Sequence, residues 1–235
     1  MSDNDERQEQ ILRAASAVII LQGYDKTTMS DIADEAGVSR GTVYLSFKGK
    51  EELFEALLYW EWMQYAQTWL EALESDPRGG TLGGFYRAIF RAVGSRPLIA
   101  SIMRRDRRVL GNYLRKLDNS FAWMKSASIT VDFIQELQAV GVVRQDLDPE
   151  VTAHLLETLS YGQLTIGDFK SSDQFPPFPV VMDALASMLD RWLSPEDGGN
   201  SEAGKEVFRQ NFVAAKEQLL AMRPSRKQAG DAHEE

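Results

Sequence analysis

The chain has 235 residues, of which 43% are hydrophobic and 26% are charged, enough for one large or two small domains with an apolar core. Its formal net charge is -9 at pH 7, and it has no cysteine, so disulfide bonds, thiol redox sensing and cysteine-ligated zinc are excluded. The two histidines, His154 and His233, lie far apart in sequence, and we predict neither a metal site nor another cofactor.

No apolar run reaches the roughly 20 residues of a membrane-spanning helix, and the N-terminus MSDNDERQEQ lacks a secretory pattern. We therefore expect a cytoplasmic protein with no membrane partner. An enzyme in an all-helical fold is not expected, because a Ser/His/Asp arrangement has only His154 to draw on and no glycine-rich phosphate loop follows a strand pattern. No catalytic residue is predicted.

The first predicted helix runs from about residue 5 to residue 21 and stops before Gly23. Acidic residues crowd its beginning, where the helix dipole favours negative charge. A short link, residues 23–28, then leads to the next helix. The apolar residues of the first helix recur at helical spacing and are Ile11, Leu12, Ala15, Val18 and Ile19.

Residues 27–53, TTMSDIADEAGVSRGTVYLSFKGKEEL, have the pattern of two short helices joined by a tight turn. Gly37 suits the left-handed backbone at the end of the first helix, and Ser39 is a residue type that caps the start of a second. The second helix is predicted to bury Val43 and Phe47. The apolar face of the first helix consists of Met29, Ile32, Ala33 and Ala36. Two short helices that cross closely in this way predict a helix-turn-helix.

The outward face of this motif is locally cationic, with three basic residues and no acidic one between positions 37 and 50. Such a surface on an acidic protein suits phosphate contact with limited indiscriminate binding. We predict that Arg40 bonds a base edge, and that Thr42 and Tyr44 contact a base, a thymine methyl or the backbone. Ser39, Ser46, Lys48 and Lys50 are expected to contact phosphates. The predicted DNA-contacting residues are Thr28, Ser39, Arg40, Gly41, Thr42, Tyr44, Ser46, Lys48 and Lys50.

Thr28 and Lys50 each admit a second interpretation. Thr28 stands where it caps the first helix of the motif or touches a phosphate, and both roles remain open. Lys50 begins the fourth helix, where the dipole attracts an anion, and is either a phosphate contact or a solvated lysine.

The run GVSRGTVYLSFKGKEELF resembles the N-terminal domain of the tetracycline-repressor (TetR) family of one-component bacterial transcription regulators. One position departs, because Ser46 stands where the family usually has an aromatic residue or His. The resemblance implies an all-α protein: a three-helix DNA-binding domain over residues 1–50, a larger helical ligand-binding and dimerisation domain over residues 51–223, and a tail, residues 224–235, that we expect to be disordered. The matching positions are Gly37, Val38, Gly41, Thr42, Val43, Tyr44, Phe47, Lys50 and Leu53.

The second domain is predicted to contain a series of amphipathic helices. A proline-rich loop over residues 169–179 is expected not to be helical, and residues 194–204 have linker composition. Asp148 and Pro149 are predicted to cap and begin one of the helices. The predicted helices cover approximately residues 51–73, 82–94, 110–139 with a break near 118–120, 150–168, 180–193 and 205–222.

The fourth helix carries three tryptophans within ten residues, more aromatic surface than one core-facing stripe requires. These side chains either line a pocket for an apolar or flat ligand or belong to the core. The candidate ligand-binding residues are Trp62, Tyr65, Trp69, Phe90, Met103, Phe121, Met124 and Tyr161. The arginine run at residues 104–108 is typical of a solvated helix end, with an anion site, part of the DNA surface and ion pairs as open alternatives.

Helices 150–168 and 180–193 both carry more apolar surface than one core needs, which favours a four-helix interface with a second copy. The resemblance implies such a homodimer: a transcription regulator and repressor, bound to double-stranded, palindromic operator DNA and released by a small-molecule effector, largely apolar or aromatic. A helical protein-interaction module that retains the helix-turn-helix without ligand control is the alternative.

Overall fold

A computed structural model describes residues 3–115, 130–166 and 175–221. The described residues contain helices, turns and loops and no strand, which confirms the all-α prediction. Across those three ranges, no helix combines the length and apolar character required to cross a membrane. The predicted break near residues 118–120 and the predicted tail at residues 224–235 lie outside them.

The N-terminal helices are α1 (Asp3–Gln22), α2 (Met29–Ala36), α3 (Arg40–Ser46) and α4 (Lys50–Ser75). The bounds predicted for the first and the fourth of them, 5–21 and 51–73, agree with the structure to within two residues at each end. There follow α5 (Leu82–Gly94), α6 (Pro97–Met103), the short α7 (Arg107–Leu110) and a 3₁₀ turn at Gly111–Tyr113. The remaining described helices are α8 (Val131–Ala139), α9 (Pro149–Thr165), α10 (Phe178–Leu193) and α11 (Ser201–Ala221).

Three predicted boundaries were wrong, each for a local reason. The helix predicted from about residue 110 begins later, at Leu114, because α7 ends at Leu110 and Gly111 has a left-handed φ of 52°. The loop 169–179 is helical at its end, since Pro179 lies in the first turn of α10, where its missing N–H has no intrahelical partner to lose. Helix α11 begins inside the predicted linker, at Ser201.

The early start of α11 depends on a close approach of two backbones. An added Cβ on Gly204 would lie 1.9 Å from the carbonyl oxygen of Gly80, so the first turn of α11 fits only with glycine at that point. The Ser201 hydroxyl also donates to the Pro77 carbonyl over 2.9 Å. These contacts anchor the start of the C-terminal helix to the turn after α4.

Apolar side chains form two cores, and α4 contributes to both. The first core joins α1, α2 and α3 to the N-terminal half of α4 and to α6 and α7; Phe54 and Leu57 of α4 are fully buried there. The second core joins the C-terminal part of α4, including Leu73, to α5 and to α8–α11. Burial of each such leucine stabilises the fold by about 2 kcal/mol.

Candidate nucleic-acid interface

The first helix of the motif, α2, is fixed at both ends by residues within or next to it. The Thr28 hydroxyl accepts the backbone N–H of Asp31 over 3.2 Å, and the Asp31 carboxylate accepts the backbone N–H of Thr28 over 2.8 Å. This reciprocal capping box confirms the capping role of Thr28. Hydrogen bonds from Thr28 hold the pKa of Asp31 below its usual value. At the other end Gly37 is left-handed, with φ 65°, as predicted.

The second helix, α3, is also capped, and the side chains of one of its faces are buried. Ser39 accepts the backbone N–H of Thr42 over 3.1 Å, as its predicted capping role requires. Val43 is fully buried, and Phe47 directly after the helix is 6% exposed. Burial of these two side chains in the first core fixes the orientation of α3 and leaves its opposite face in solvent.

The outward face of α3 presents the predicted contact residues in different ways. Arg40 and Gly41 are exposed, and Tyr44 is 47% exposed. Thr42 and Ser46 are half-buried. The Thr42 hydroxyl lies 2.8 Å from the Ser39 hydroxyl, and the Ser46 hydroxyl donates to the Thr42 carbonyl over 3.4 Å. Both side chains are therefore partly committed within the motif.

The two lysines that follow α3 have different environments. Lys48 is exposed. Lys50 points inward: its ammonium group donates to the carbonyls of Tyr24 (2.8 Å), Thr27 (2.9 Å) and Asp25 (3.3 Å). It also lies 4.4 Å from the centre of the Tyr24 ring. All three ammonium N–H groups have an acceptor, so a phosphate contact by Lys50, which stays a prediction, requires exchange of one of them.

The segment between α1 and α2 is also hydrogen-bonded to α7 and to the 3₁₀ turn that follows it. The Tyr24 N–H donates to the Val109 carbonyl over 2.8 Å, and the Asn112 N–H donates to the Asp25 carboxylate over 3.1 Å. Gly23 leaves no room for a side chain, because an added Cβ would lie 2.4 Å from the carbonyl oxygen of Arg108. Residues 23–28 therefore connect the DNA-binding motif to the larger helical body.

The arginine run at residues 104–108 contains an ion pair. Asp106 caps α7 by accepting the Arg108 backbone N–H over 2.9 Å, and the Arg108 guanidinium lies 3.1 Å from the same carboxylate. Partial burial of Asp106 opposes its ionisation, but the hydrogen bonds and charge of Arg108 outweigh that effect and lower its pKa. This pair lies within the run, and the Arg108 side chain is 87% exposed, as expected for a solvated helix end.

The candidate ligand-binding residues are distributed over both cores. Trp62 is buried in the first core, and Trp69 and Phe90 are buried in the second. Tyr65 packs against both, and Met103 packs against the first. Tyr161 lies apart on α9 and is 67% exposed. Phe121 and Met124 fall outside the described residues.

Two open clefts of the described chain contain none of these candidates. One, of about 470 Å³, lies between α1 and α2 and is lined mainly by charged residues such as Glu6 and Glu35. The other, of about 440 Å³, lies beside the turn at residues 141–146. Neither provides the aromatic lining expected of the predicted ligand site.

Comparison with known proteins decides the family. Residues 11–57 match the family described as "Bacterial regulatory proteins, tetR family". The matched residues cover α1 from Ile11, all of α2 and α3, and the start of α4. The chain belongs to the TetR family. It is a DNA-binding transcriptional regulator, as predicted, and the relatives reported below are transcriptional regulators too.

The similarity of this TetR-family protein to individual relatives is high only near the N-terminus. It is 46% identical to the uncharacterized HTH-type transcriptional regulator YfiR of Bacillus subtilis over 54 residues, 23% of this chain and 26% of YfiR. It is 28% identical to the HTH-type transcriptional repressor KstR2 of Mycolicibacterium smegmatis over 163 residues, 66% of this chain and 76% of KstR2.

The fold likeness extends over most of the TetR-family chain. A crystal structure of the transcriptional regulator FadR from Bacillus subtilis, in complex with stearoyl-CoA, superposes with a TM-score of 0.56 at 22% identity. The superposition covers 77% of this chain and 96% of FadR. At this identity the likeness establishes the architecture of the second domain.

The prediction from sequence missed one feature of the interface and one of the protein interior. Leu45, in the last turn of α3, is 90% exposed, and its position two residues after the buried Val43 was the available signal. Glu61 of α4 is 3% exposed, and no spacing rule distinguishes it from the exposed glutamates of the same helix.

Proposed function

We propose that this regulator is a cytoplasmic homodimeric repressor that binds a palindromic operator and releases it when a small molecule occupies the second domain. The observation that carries the proposal is the rigid α2–α3 unit. It is capped at Thr28, Gly37 and Ser39, it is held by the buried Val43, and it presents Arg40 and Tyr44 to solvent. The proposed division is a DNA-binding domain at residues 1–50 and an effector and dimerisation domain at residues 51–223.

In the proposed complex α3 enters the major groove, where its N-terminal residues meet base edges. Arg40 is exposed at the first position of the helix and bonds guanine O6 and N7. Thr42 and Tyr44 contact neighbouring bases or sugars. Lys48 and the hydroxyls of Ser39 and Thr28 contact phosphates and so set the register. Ser46 and Lys50 take part only if their internal hydrogen bonds open.

The homodimer places two copies of α3 in successive major grooves, about 35 Å apart. Its proposed interface uses α9 and α10, each of which carries an exposed apolar stripe. On α9 the stripe contains Val151 (56% exposed), Leu155 (40%) and Tyr161 (67%). On α10 it contains Val180 (59%) and Met188 (48%). Burial of both stripes against a second copy gives the four-helix arrangement expected from the sequence.

The effector site is proposed to lie in the second core, beside α4 and α5. The indole Nε1 of Trp69 is buried and has no hydrogen-bond partner among the described residues. A buried donor without a partner costs about 1–3 kcal/mol, and a ligand acceptor placed there removes that cost. We therefore propose an effector that is mostly apolar and carries at least one hydrogen-bond acceptor.

The test is a gel-shift assay with duplexes tiled over the region upstream of the gene. The expected result is a specific complex whose affinity falls steeply with salt, because phosphate contacts release counterions. Addition of an apolar ligand panel that includes stearoyl-CoA is then expected to dissociate the complex with at least one member. Absence of any specific complex at low salt favours the alternative, a helical interaction module that retains the motif.

A further inference from the structure

Leu45 is an exposed leucine in the last turn of α3, a helix whose other large apolar residues, Val43 and Tyr44, point inward or are amphipathic. Its exposure is 90%, against 0% for Val43 and 6% for Phe47. Solvent exposure of so large an apolar side chain forfeits about 1.5–3 kcal/mol of burial free energy. No described residue covers it, so the fold of the single chain does not explain it.

Helical geometry places Leu45 on the ridge of α3 furthest from the core. Successive residues turn by about 100°, so Leu45 lies about 200° from Val43. The residue one turn earlier on the same ridge is Gly41, and Thr42 and Tyr44 flank the pair. The outermost line of the helix therefore consists of Gly41 and then Leu45.

Gly41 supplies an independent observation on the same ridge. An added Cβ there would meet only the Ser39 hydroxyl, at 3.6 Å, which is ordinary van der Waals contact. The packing of the chain therefore does not require glycine at position 41. A smooth ridge at the start of α3 lets another molecule approach its backbone, and that approach brings the next ridge residue, Leu45, into contact.

We propose that Leu45 is a specificity-determining residue that packs against the C5 methyl group of a thymine in the operator. The inference rests on the proposed placement of α3 in the major groove. A leucine side chain has no donor or acceptor, so the only base feature it recognises there is the thymine methyl, which no other base carries. Leu45 thus selects thymine over cytosine at one position of each half-site.

Deoxyuridine substitution tests this contact directly, because it removes the methyl group and keeps Watson–Crick pairing. Each thymine of the operator duplex found by gel shift is replaced in turn, and Kd is measured by fluorescence anisotropy. With the wild-type protein, affinity is expected to fall about fourfold when one particular thymine of each half-site is replaced. This ratio of Kd values corresponds to the burial free energy of one apolar carbon group. At every other thymine the change is expected to be smaller.

The variant Leu45→Ala is expected to bind the thymine operator more weakly and to bind the thymine and deoxyuridine duplexes equally at the sensitive position. Leu45→Met, which restores an apolar side chain of similar volume, is expected to recover the discrimination. Leu21→Ala is the matched control, because Leu21 is an 86% exposed leucine on α1, and it should behave like the wild type. Circular dichroism verifies that each variant is folded.

The outcomes separate this inference from the function on which it rests. If the wild-type protein binds no upstream duplex, the proposed function fails. If the wild type binds but tolerates deoxyuridine at every thymine, or if Leu45→Ala keeps the same sensitive thymine, the role of Leu45 is overturned while DNA binding stands.

Discussion

Lys48 and Lys50 lie two residues apart and differ in what their ammonium groups contact. Lys48 is exposed and free to meet a phosphate on docking, whereas Lys50 holds three carbonyls of the segment between α1 and α2. The residues proposed to contact DNA and the residues that hold the motif together are thus interleaved along the same few positions. Variants at single positions separate the two roles.

Substitution of Lys50 tests whether its contribution is internal. Lys50→Met is expected to lower the free energy of unfolding by about 2 kcal/mol, because hydrogen bonds to a charged donor are lost while part of the packing on Tyr24 remains. Lys48→Met should stay within about 0.5 kcal/mol of wild type. Urea denaturation followed by circular dichroism measures both, and equal stability of the two variants would contradict the internal role.

Arg40 is expected to control sequence specificity. Arg40→Ala should weaken operator binding by about 1–3 kcal/mol while leaving binding to random duplex much less affected, because a base contact is lost and phosphate contacts are kept. The matched control is Arg13→Ala, an exposed arginine of α1 paired with Glu9. The measurement is the ratio of specific to random Kd at one salt concentration. A parallel loss on both duplexes would reassign Arg40 to the DNA backbone.

Helix α4 links the two cores, and a buried polar group marks the junction. The Ser16 hydroxyl of α1 donates to Glu61 over 2.6 Å, and Arg96, between α5 and α6, lies 3.7 Å from the same carboxylate. Arg96 also stacks 5.4 Å from the centre of the Trp60 ring. Three segments therefore meet at one carboxylate that is 3% exposed.

Removal of this carboxylate should be costly. Glu61→Ala leaves the Ser16 hydroxyl without its acceptor and Arg96 without its ion-pair partner, and it is expected to destabilise the protein by about 3 kcal/mol. Glu71→Ala, an exposed glutamate on the same helix, should cost less than about 0.5 kcal/mol. Chemical denaturation compares the two. If Ser16→Ala and Glu61→Ala prove additive in a double-mutant cycle, the α1–α4 contact is not the source of the effect.

The hydrogen bond between α5 and α9 is expected to make the free energy of unfolding depend on pH in the alkaline range. Burial raises the pKa of Tyr86, whose hydroxyl donates to the Leu156 carbonyl over 2.8 Å. Above about pH 10 the unfolded chain ionises this phenol and the folded chain does not, so stability falls as pH rises. Tyr86→Phe should lose about 1 kcal/mol at pH 7 and show a shallower alkaline decline.

Tyr44→Phe is the control for this pH dependence, because Tyr44 is 47% exposed on α3. It should retain the wild-type slope of unfolding free energy between pH 9 and pH 11, within the range where tyrosine ionises. An unchanged slope in Tyr86→Phe would show that other groups determine the alkaline behaviour.

At the level of the whole molecule, operator binding is expected to require the proposed dimer. Val180→Glu places a charge in the exposed stripe of α10 and should shift the protein to monomers, since an unpaired buried charge costs several kcal/mol. Operator affinity should fall with it, because two recognition helices no longer bind together. Val213→Glu on α11, where Val213 is 51% exposed, is the matched control. Sedimentation velocity measures the oligomeric state, and a dimeric Val180→Glu would place the interface elsewhere.

The helix-turn-helix was predictable from the sequence because its determinants are local. Thr28, Gly37 and Ser39 act on backbone groups within a few residues, and the spacing of Ile32 and Val43 identifies the buried face. The same local pattern carried the family resemblance, which residues 11–57 confirm. Arg40 was predicted to face outward, and it is exposed.

Other features were decided only by the tertiary structure, because their partners are distant in sequence. Lys50 turns inward to carbonyls 23–26 residues away, Glu61 is buried by Ser16 across 45 residues, and α11 starts where Gly80 approaches it across 124 residues. Local propensity contains no information on these contacts. The sequence by itself determined the DNA-reading motif and the helical class, whereas packing between segments determined which polar groups are left for DNA and which hold the protein together.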